Sequence, residues 1–389
     1  MKAVVWHGKE DVRVDNVPDP IIQVPTDAIV RITSTAVCGS DLHLYKVLGP
    51  IMREGDIIGH EPMGIVEEVG RDVTHIKPGD RVVIPFNISC GSCFFCEQDL
   101  YSQCETTRDT GKLAEAASLL GRGKGASLFG YTHVYGAVPG GQAEYLRVPQ
   151  AHFGPIKVPE GPPDERFLYL SDVLPTAWQA VQYADTPKGG TLGVWGLGPI
   201  GQMCARIAMQ QGVERVIGVD TVPERLSLAA KYGVETLDFN AVDRVRDVVL
   251  DLTNGRGVDA AIDAVGMEAD GSVVGSILQA TKLQLDRATA LRECMASVRR
   301  GGTLSISGVY TGPIQAFQLG DLFDMQIQVR MGQANVRRWV DDIMPLLTEE
   351  DPLGTEDLKT HEMPLEEAPR AYEIFQKKQD GAIKCVLKP

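Results

Sequence analysis

Positive charge is in short supply in this chain: 38 Lys and Arg stand against 52 Asp and Glu, a net charge of −14. That balance argues against nucleic acid or an anionic membrane as a partner, since both require clustered positive charge. Nor is there an uninterrupted apolar run of about 18 residues, which excludes a membrane-spanning helix. The residues after Met1, Lys-Ala-Val-Val-Trp-His-Gly, form neither an apolar signal core nor an Arg-rich presequence. Fixed-period repeats and low-complexity tracts are absent. Cysteine is present eight times, half of it grouped in one segment, and with no export signal this pattern predicts a reducing, cytoplasmic location. The 389 residues are 43% hydrophobic and 23% charged, the composition of a globular protein long enough for two cores.

Cys90, Cys93, Cys96 and Cys104 stand at spacings of three, three and eight. Short gaps let one loop wrap four thiolates around one ion, and zinc prefers a tetrahedral thiolate shell. With all four positions taken by protein, such an ion has no place for substrate and serves structure. A disulfide cluster is the alternative, but thiols this close in sequence rarely pair with one another.

The first third is rich in short β-type runs, at residues 28–34, 64–69, 81–85 and 142–148, broken by turn signals such as Lys77-Pro78-Gly79-Asp80. An antiparallel, barrel-like domain is expected there. From about Pro175 strands alternate with helices of 10–15 residues, which predicts a doubly wound parallel sheet, an α/β unit. Its strands are expected at residues 191–195, 215–220, 258–264 and 303–307, and helices at 199–211 and 223–232. The expected boundaries are a first domain over 1–173, the α/β unit over 174–311 and a return to the first domain over 312–389.

The strand ending at Trp195 runs directly into Gly196-Leu197-Gly198-Pro199-Ile200-Gly201 and then a helix, and Asp220 ends the next strand 19 residues past Gly201. A glycine triplet alone is weak evidence; between strand and helix, with an acid at that distance, it is a dinucleotide fingerprint. Gly196 permits the tight turn, Gly198 the approach of a pyrophosphate and Gly201 close packing, while the helix N-terminus offers free N–H groups. Asp220 would accept from ribose hydroxyls and repel a 2′-phosphate, so NAD is expected over NADP. Arg225 could soften that preference, or be a solvated helix charge.

A second concentration of metal-type side chains lies in Cys38-Gly39-Ser40-Asp41-Leu42-His43 and Gly59-His60-Glu61. Cys and His suit zinc, and a third protein ligand would leave one position open for substrate. Asp172 is the candidate for that third ligand, with helix capping as its alternative role.

Taken together these motifs resemble the zinc-containing alcohol dehydrogenases of the medium-chain dehydrogenase/reductase superfamily, over essentially the full length. Ser171-Asp172-Val173-Leu174-Pro175-Thr176 and Gly140-Gly141-Gln142-Ala143-Glu144-Tyr145-Leu146 are most similar to the glutathione-independent formaldehyde dehydrogenase branch. The resemblance implies a GroES-like β-barrel catalytic domain joined to a Rossmann NAD-binding domain. It implies Cys38, His60 and Asp172 as ligands of a catalytic zinc, aspartate standing where most of the superfamily has cysteine. Glu61 becomes a near-metal carboxylate, Asp41 the partner that orients the imidazole, and Ser40 and His43 a proton relay to solvent. Thr176, Val265, Ser307, Gly308 and Val309 fall beside the nicotinamide. Lys384 falls where the family places a cation on the pyrophosphate, often arginine. The implied activity is hydride transfer between NAD and a small aldehyde hydrate or primary alcohol, formaldehyde foremost, in a homodimer or homotetramer with two zincs per chain. Glutathione-dependent formaldehyde oxidation, retention of the cofactor for aldehyde dismutation and a general alcohol dehydrogenase activity are the alternatives. Arg108, four residues past Cys104, matches the spacing of an arginine that grips glutathione in the glutathione-dependent enzymes. Residues 105–129 and 268–289 exceed the usual family length, and the resemblance places such insertions over the adenine side of the cofactor.

Overall fold

The hydrophobic runs that alternate with turns in the first third pair as strands, and those that alternate with amphipathic helices stack into a parallel sheet. The computed structural model describes the chain apart from residues 113, 116–124, 267–288, 311–316 and 349. It divides into two units, Met1–Pro175 with Ala334–Pro389, and Thr176–Gln333. The return to the first unit thus comes at Ala334, later than residue 312, because the parallel sheet takes one further strand before the chain leaves it.

Along the chain the strands are β1 (Lys2–Gly8), β2 (Asp11–Asn16), β3 (Ala28–Ala36), β4 (Glu61–Val69), β5 (Arg81–Val83), β6 (Tyr145–Val148) and β7 (Ile156–Lys157). There follow β8 (Thr191–Trp195), β9 (Arg215–Asp220), β10 (Glu235–Asp238), β11 (Val258–Asp263), β12 (Val298–Ile306) and β13 (Gln328–Met331), and finally β14 (His361–Pro364) and β15 (Cys385–Lys388).

In the first unit β1 and β2 form a hairpin, and a seven-stranded sheet runs β14-β15-β3-β4-β5-β7 with β6 also on β3. All its pairings are antiparallel except β14 with β15. One core lies among Ala28, Val30, Ile32, Val66, Val82, Leu146 and Val148. Another joins Val4, Trp6, Val37, Leu42 and Leu44 to Tyr372, Phe375 and Leu387 from the returning segment. The alternation that buries Val30 and Ile32 while exposing Arg31 on β3 is the period-two pattern of a strand with one covered face.

In the second unit the order is β10-β9-β8-β11-β12-β13, every pair parallel. In order of appearance that is 3-2-1-4-5-6, the doubly wound arrangement whose ligand crevice lies where the order reverses, at the carboxyl ends of β8 and β11. The central strands are buried throughout, with Leu192, Val194, Trp195, Ile217, Ala260, Ala261, Ile262 and Leu304 at 7% exposure or less, as both-face burial of a parallel sheet demands. The helices Pro199–Gln210 and Pro223–Lys231 each open on proline, whose missing N–H costs nothing at a first turn. Among the described residues no helix is long and apolar enough to cross a membrane. The insertion at 268–289 falls outside the described residues save Thr289, as does part of the insertion at 105–129.

Candidate active site

Cys38 ends the turn after β3 and caps the helix Gly39–Lys46, and its N–H donates to Asp41 Oδ2 at 3.0 Å. That capping contact turns Asp41 inward, where its other oxygen lies 2.9 Å from His60 Nδ1. His60 immediately precedes β4, so its ring is fixed by the strand that follows and by Asp41, leaving Nε2 to face the other donors. Nε2 lies 3.5 Å from Asp172 Oδ2, and Asp172 Oδ2 lies 3.3 Å from Cys38 Sγ. Donor atoms of Cys38, His60, Glu61 and Asp172 all fall within 4.8 Å of one another, and all four residues are buried. Ser40 Oγ sits 3.1 Å from His60 Nε2 and 3.3 Å from Cys38 Sγ.

The chemistry of this donor set calls for a cation. Burial, with Asp172 and Glu61 close by, pushes the Cys38 thiol up to about 11. Burial opposes a proton on His60, but Asp41 and Cys38 outweigh it and raise its pKa well above the usual value. Glu61 Oε2 is buried without a hydrogen-bond partner. A thiol, an imidazole and a carboxylate converging on one point, with an orphan carboxylate oxygen beside them, fit a zinc ion with one position left open.

Gln142, Phe86 and Tyr131 join the site without having been expected there. Gln142, fully buried, donates from Nε2 to Ala36 O at 3.1 Å and to Asp41 Oδ2 at 3.3 Å, and its Oε1 accepts from the Tyr372 hydroxyl at 2.9 Å. Gly59 makes room for it: at φ +93°, a Cβ there would meet Gln142 Cδ at 2.6 Å. The rings of Phe86 and Tyr131 stand edge-on to His60, at 6.2 and 6.4 Å between centroids. The glycine pair before Gln142 was the one available signal; the aromatic walls had none.

Lys384 has a partner that the sequence did not announce: its Nζ donates to Glu61 Oε1 at 2.6 Å, and both side chains are fully buried. Burial lowers a lysine pKa, but the Glu61 charge outweighs it and raises that of Lys384, so the ammonium stays charged beside its carboxylate. His43 is buried, at 3% exposure. Ser40 lies beside Cys38 and His60.

The four cysteines of the lobe also converge. Their sulfurs lie within 4.8 Å of one another, no disulfide forms, and Cys93 and Cys104 are 3.8 Å apart, too far for an S–S bond. Tight turns aim them: Glu97 N–H donates to Cys93 O, and Gly91, at φ +76°, passes against the ring of Phe153, which a Cβ would strike. Burial opposes ionisation of Cys93, yet backbone N–H groups of Cys96 and Glu105 bring its pKa down to about 6. Four sulfurs brought together in one loop with no disulfide fit a closed structural zinc site. Arg108 is exposed beyond it.

In the second unit, Gly196 turns the chain at φ +87°, and a Cβ on Gly201 would collide with Gly196 O. Gly198 is open, with only the Arg225 guanidinium near, 3.8 Å from where a Cβ would stand. Pro199 and Ile200 begin the helix. Asp220 closes β9 with its carboxylate already engaged: Oδ2 accepts from Leu197 N–H at 2.6 Å and Oδ1 from Thr221 and Val222 at 2.7 and 2.9 Å. It therefore holds the glycine turn. Arg225 is largely buried, 3.7 Å from Asp220 Oδ2, and is no solvated helix charge. Gln202, which carried no signal, staples the turn by donating to Leu197 O at 3.0 Å and Arg225 O at 2.8 Å. Val265, Ser307, Gly308 and Val309 follow the ends of β11 and β12, and Thr176 lies in the helix Val173–Ala184.

A parallel 3-2-1-4-5-6 sheet with a glycine-rich first turn, in one chain with a separate unit bearing two metal-type clusters, defines a zinc-dependent dinucleotide oxidoreductase. The alcohol dehydrogenase GroES-like domain matches residues 24–160, and the zinc-binding dehydrogenase domain matches residues 199–284. The chain is 42% identical over 392 residues to an uncharacterized zinc-type alcohol dehydrogenase-like protein, AdhB, of Bacillus subtilis, covering both in full. It is 30% identical to formaldehyde dismutase of Pseudomonas putida, covering 97% of this chain and 95% of that one. The structure of alcohol dehydrogenase TADH from Thermus sp. ATN1 is similar at 34% identity with a TM-score of 0.83, covering 100% of this chain and 99% of that one. The chain belongs to the zinc-containing alcohol dehydrogenases of the medium-chain dehydrogenase/reductase superfamily, whose cofactors are zinc and NAD(H).

Proposed function

We propose that this enzyme oxidises a small primary alcohol or aldehyde hydrate, formaldehyde foremost, with NAD and without glutathione. The observation that carries this reading is Asp172, whose Oδ2 converges with Cys38 Sγ and His60 Nε2 at 3.3 and 3.5 Å. A carboxylate there is a harder donor than the thiolate usual in the superfamily. Support for a small substrate comes from Phe86 and Tyr131, whose rings crowd His60 on two sides. When bound, zinc supplies Lewis acidity toward the substrate oxygen and NAD supplies the hydride acceptor.

The residues of the chain position and exchange the proton. Asp41 holds the imidazole in one orientation from the Nδ1 side. The Ser40 hydroxyl, beside Cys38 and His60, is placed to accept a proton from a substrate hydroxyl arriving among those atoms. Lys384 holds Glu61 by one oxygen and leaves the other free.

The likeness to formaldehyde dismutase supports a second reading, in which one retained cofactor oxidises one aldehyde and reduces another. Purified enzyme with NAD, assayed on a panel of aldehydes and alcohols with and without glutathione, decides between them. Net NADH with small aldehydes, unchanged by glutathione, supports the first reading. Equal acid and alcohol with no net NADH supports the second, and a strict need for glutathione overturns both. We further infer a homo-oligomer, supported by Leu319, Phe323 and Met331, which are 70%, 82% and 57% exposed on a helix and an edge strand of the second unit.

A further inference from the structure

At the carboxyl end of β11 a carboxylate is buried without a charge partner. Asp263 is fully buried, and among the described residues no cation pairs with it. A lone buried carboxylate is costly unless hydrogen bonds replace its water, and here they do so in one particular way. Its backbone oxygen accepts from the N–H groups of Ser307 and Gly308, both at 2.9 Å. Its Oδ1 accepts from Val265 N–H at 3.1 Å, and its Oδ2 accepts from the Tyr310 hydroxyl at 2.8 Å. One residue therefore ties together the turn that leaves β11 and the turn that leaves β12.

The same turns are pressed against each other by glycines. A Cβ on Gly308 would meet Asp263 Oδ2 at 2.9 Å, and one on Gly266 would meet Val309 N at 2.6 Å. A Cβ on Gly196 would meet Val265 Cγ2 at 2.8 Å, so the turns after β8, β11 and β12 form one stacked layer. A doubly wound sheet binds a dinucleotide as two mononucleotide halves. The β8–β10 half carries the glycine-rich turn and Asp220, which suit the adenosine side. The β11–β13 half is left for the nicotinamide side.

We propose that Asp263 and Tyr310 are positioning residues for the nicotinamide half of the cofactor, holding Val265 and Ser307–Val309 in the register at which their backbones meet it. This rests on the NAD-linked reading of the site. Neither side chain needs to touch the cofactor, because each acts through the two turns. Burial also pushes the Asp263 carboxyl up, which makes the Tyr310 hydrogen bond the more needed.

The test uses the full-length, zinc-loaded enzyme and two ligands, NADH and ADP-ribose, the second of which lacks the nicotinamide. Tyr310→Phe removes one hydroxyl from a half-buried ring. It should weaken NADH about tenfold, the effect of one lost buried hydrogen bond, while ADP-ribose stays within about twofold of wild type. Asp263→Asn, whose amide can still accept from Val265 and donate to the Tyr310 oxygen, should lose less. A purely structural role would lower the melting temperature and weaken both ligands alike, and that result overturns the proposal. So does NADH affinity unchanged in Tyr310→Phe. Wild-type enzyme that binds neither ligand would overturn the NAD-linked reading itself, an outcome distinct from the other two.

Discussion

Replacing Lys384 by methionine tests how the first unit tolerates charge. The Lys384–Glu61 pair is 2.6 Å long and both side chains are fully buried, so removing the ammonium leaves the Glu61 carboxylate without the cation that is hydrogen-bonded to it. Breaking a buried pair from one side costs about 3–5 kcal/mol. For a unit of this size, each kcal/mol moves the melting temperature by roughly 2–4 °C, so the shift should be about 6–20 °C downward. Scanning calorimetry of the zinc-loaded variant reads it, and metal analysis of the same sample separates lost zinc from lost stability. Adding Glu61→Gln should recover most of the loss, because the charge that went unpaired is then gone; the cycle isolates the pair. Lys384→Arg should fall between wild type and methionine. The raised pKa of Lys384 fixes the sign with pH: the stabilisation is fully present below the ordinary lysine value and is lost as pH rises through the higher folded one. A methionine variant melting within about 2 °C of wild type, under 1 kcal/mol, would refute the reasoning, as would a double variant no more stable than the single.

Cys93→Ser should release one zinc per chain and destabilise the lobe, while Cys38→Ser should also lose one zinc but keep the fold and abolish turnover; metal analysis with circular dichroism distinguishes them. Because the Cys38 thiol sits at about 11 and must lose its proton to bind metal, zinc affinity of the stripped enzyme should climb with pH through neutrality, by about tenfold per unit for each proton released; competition with a chelator at several pH values measures it. Asp220→Ser should weaken NAD and narrow its margin over NADP, and because Leu197 N–H loses its acceptor the loss for NAD should be about tenfold or more. Gly59→Ala should cost stability at φ +93° and push Gln142 off Asp41, visible as a lower melting temperature with a fall in kcat.

Whatever depends on neighbours in sequence was readable in advance. The cysteine spacing, the glycine turn between β8 and its helix, and the helices opened by Pro199 and Pro223 are each set by local geometry. Their bounds agree with expectation to within a residue or two. The strands β10 and β13, at the two edges of the parallel sheet, are only four residues each and too polar to show a strand pattern. The partners that distinguish the site also escaped notice. Gln142 reaches Asp41 across 101 positions and Lys384 reaches Glu61 across 323, and no window of sequence displays such a pairing. The resemblance places Lys384 at the pyrophosphate; the structure adds its bond to the Glu61 carboxylate, which no local pattern displays.

The broken course of the first unit has a consequence for how the protein is made. Cys90, Cys93, Cys96 and Cys104 emerge together, so the lobe can take up its ion as soon as that loop clears the ribosome. The sheet around Cys38 and His60 cannot close then, because β15 lies inside it between β14 and β3, and Lys384 is translated after everything that precedes β15. At about 5–20 residues per second the ribosome needs roughly 10–40 s to pass from Pro175 to Cys385. Through that interval Thr35 and Ala36 of β3 lack their β15 partners, while residues 28–31 are held by β6, and Glu61 lacks Lys384. The Lys384–Glu61 pair beside Cys38 and His60 is thus completed long after the cysteine lobe, although Cys38, His60 and Asp172 have all been made by then.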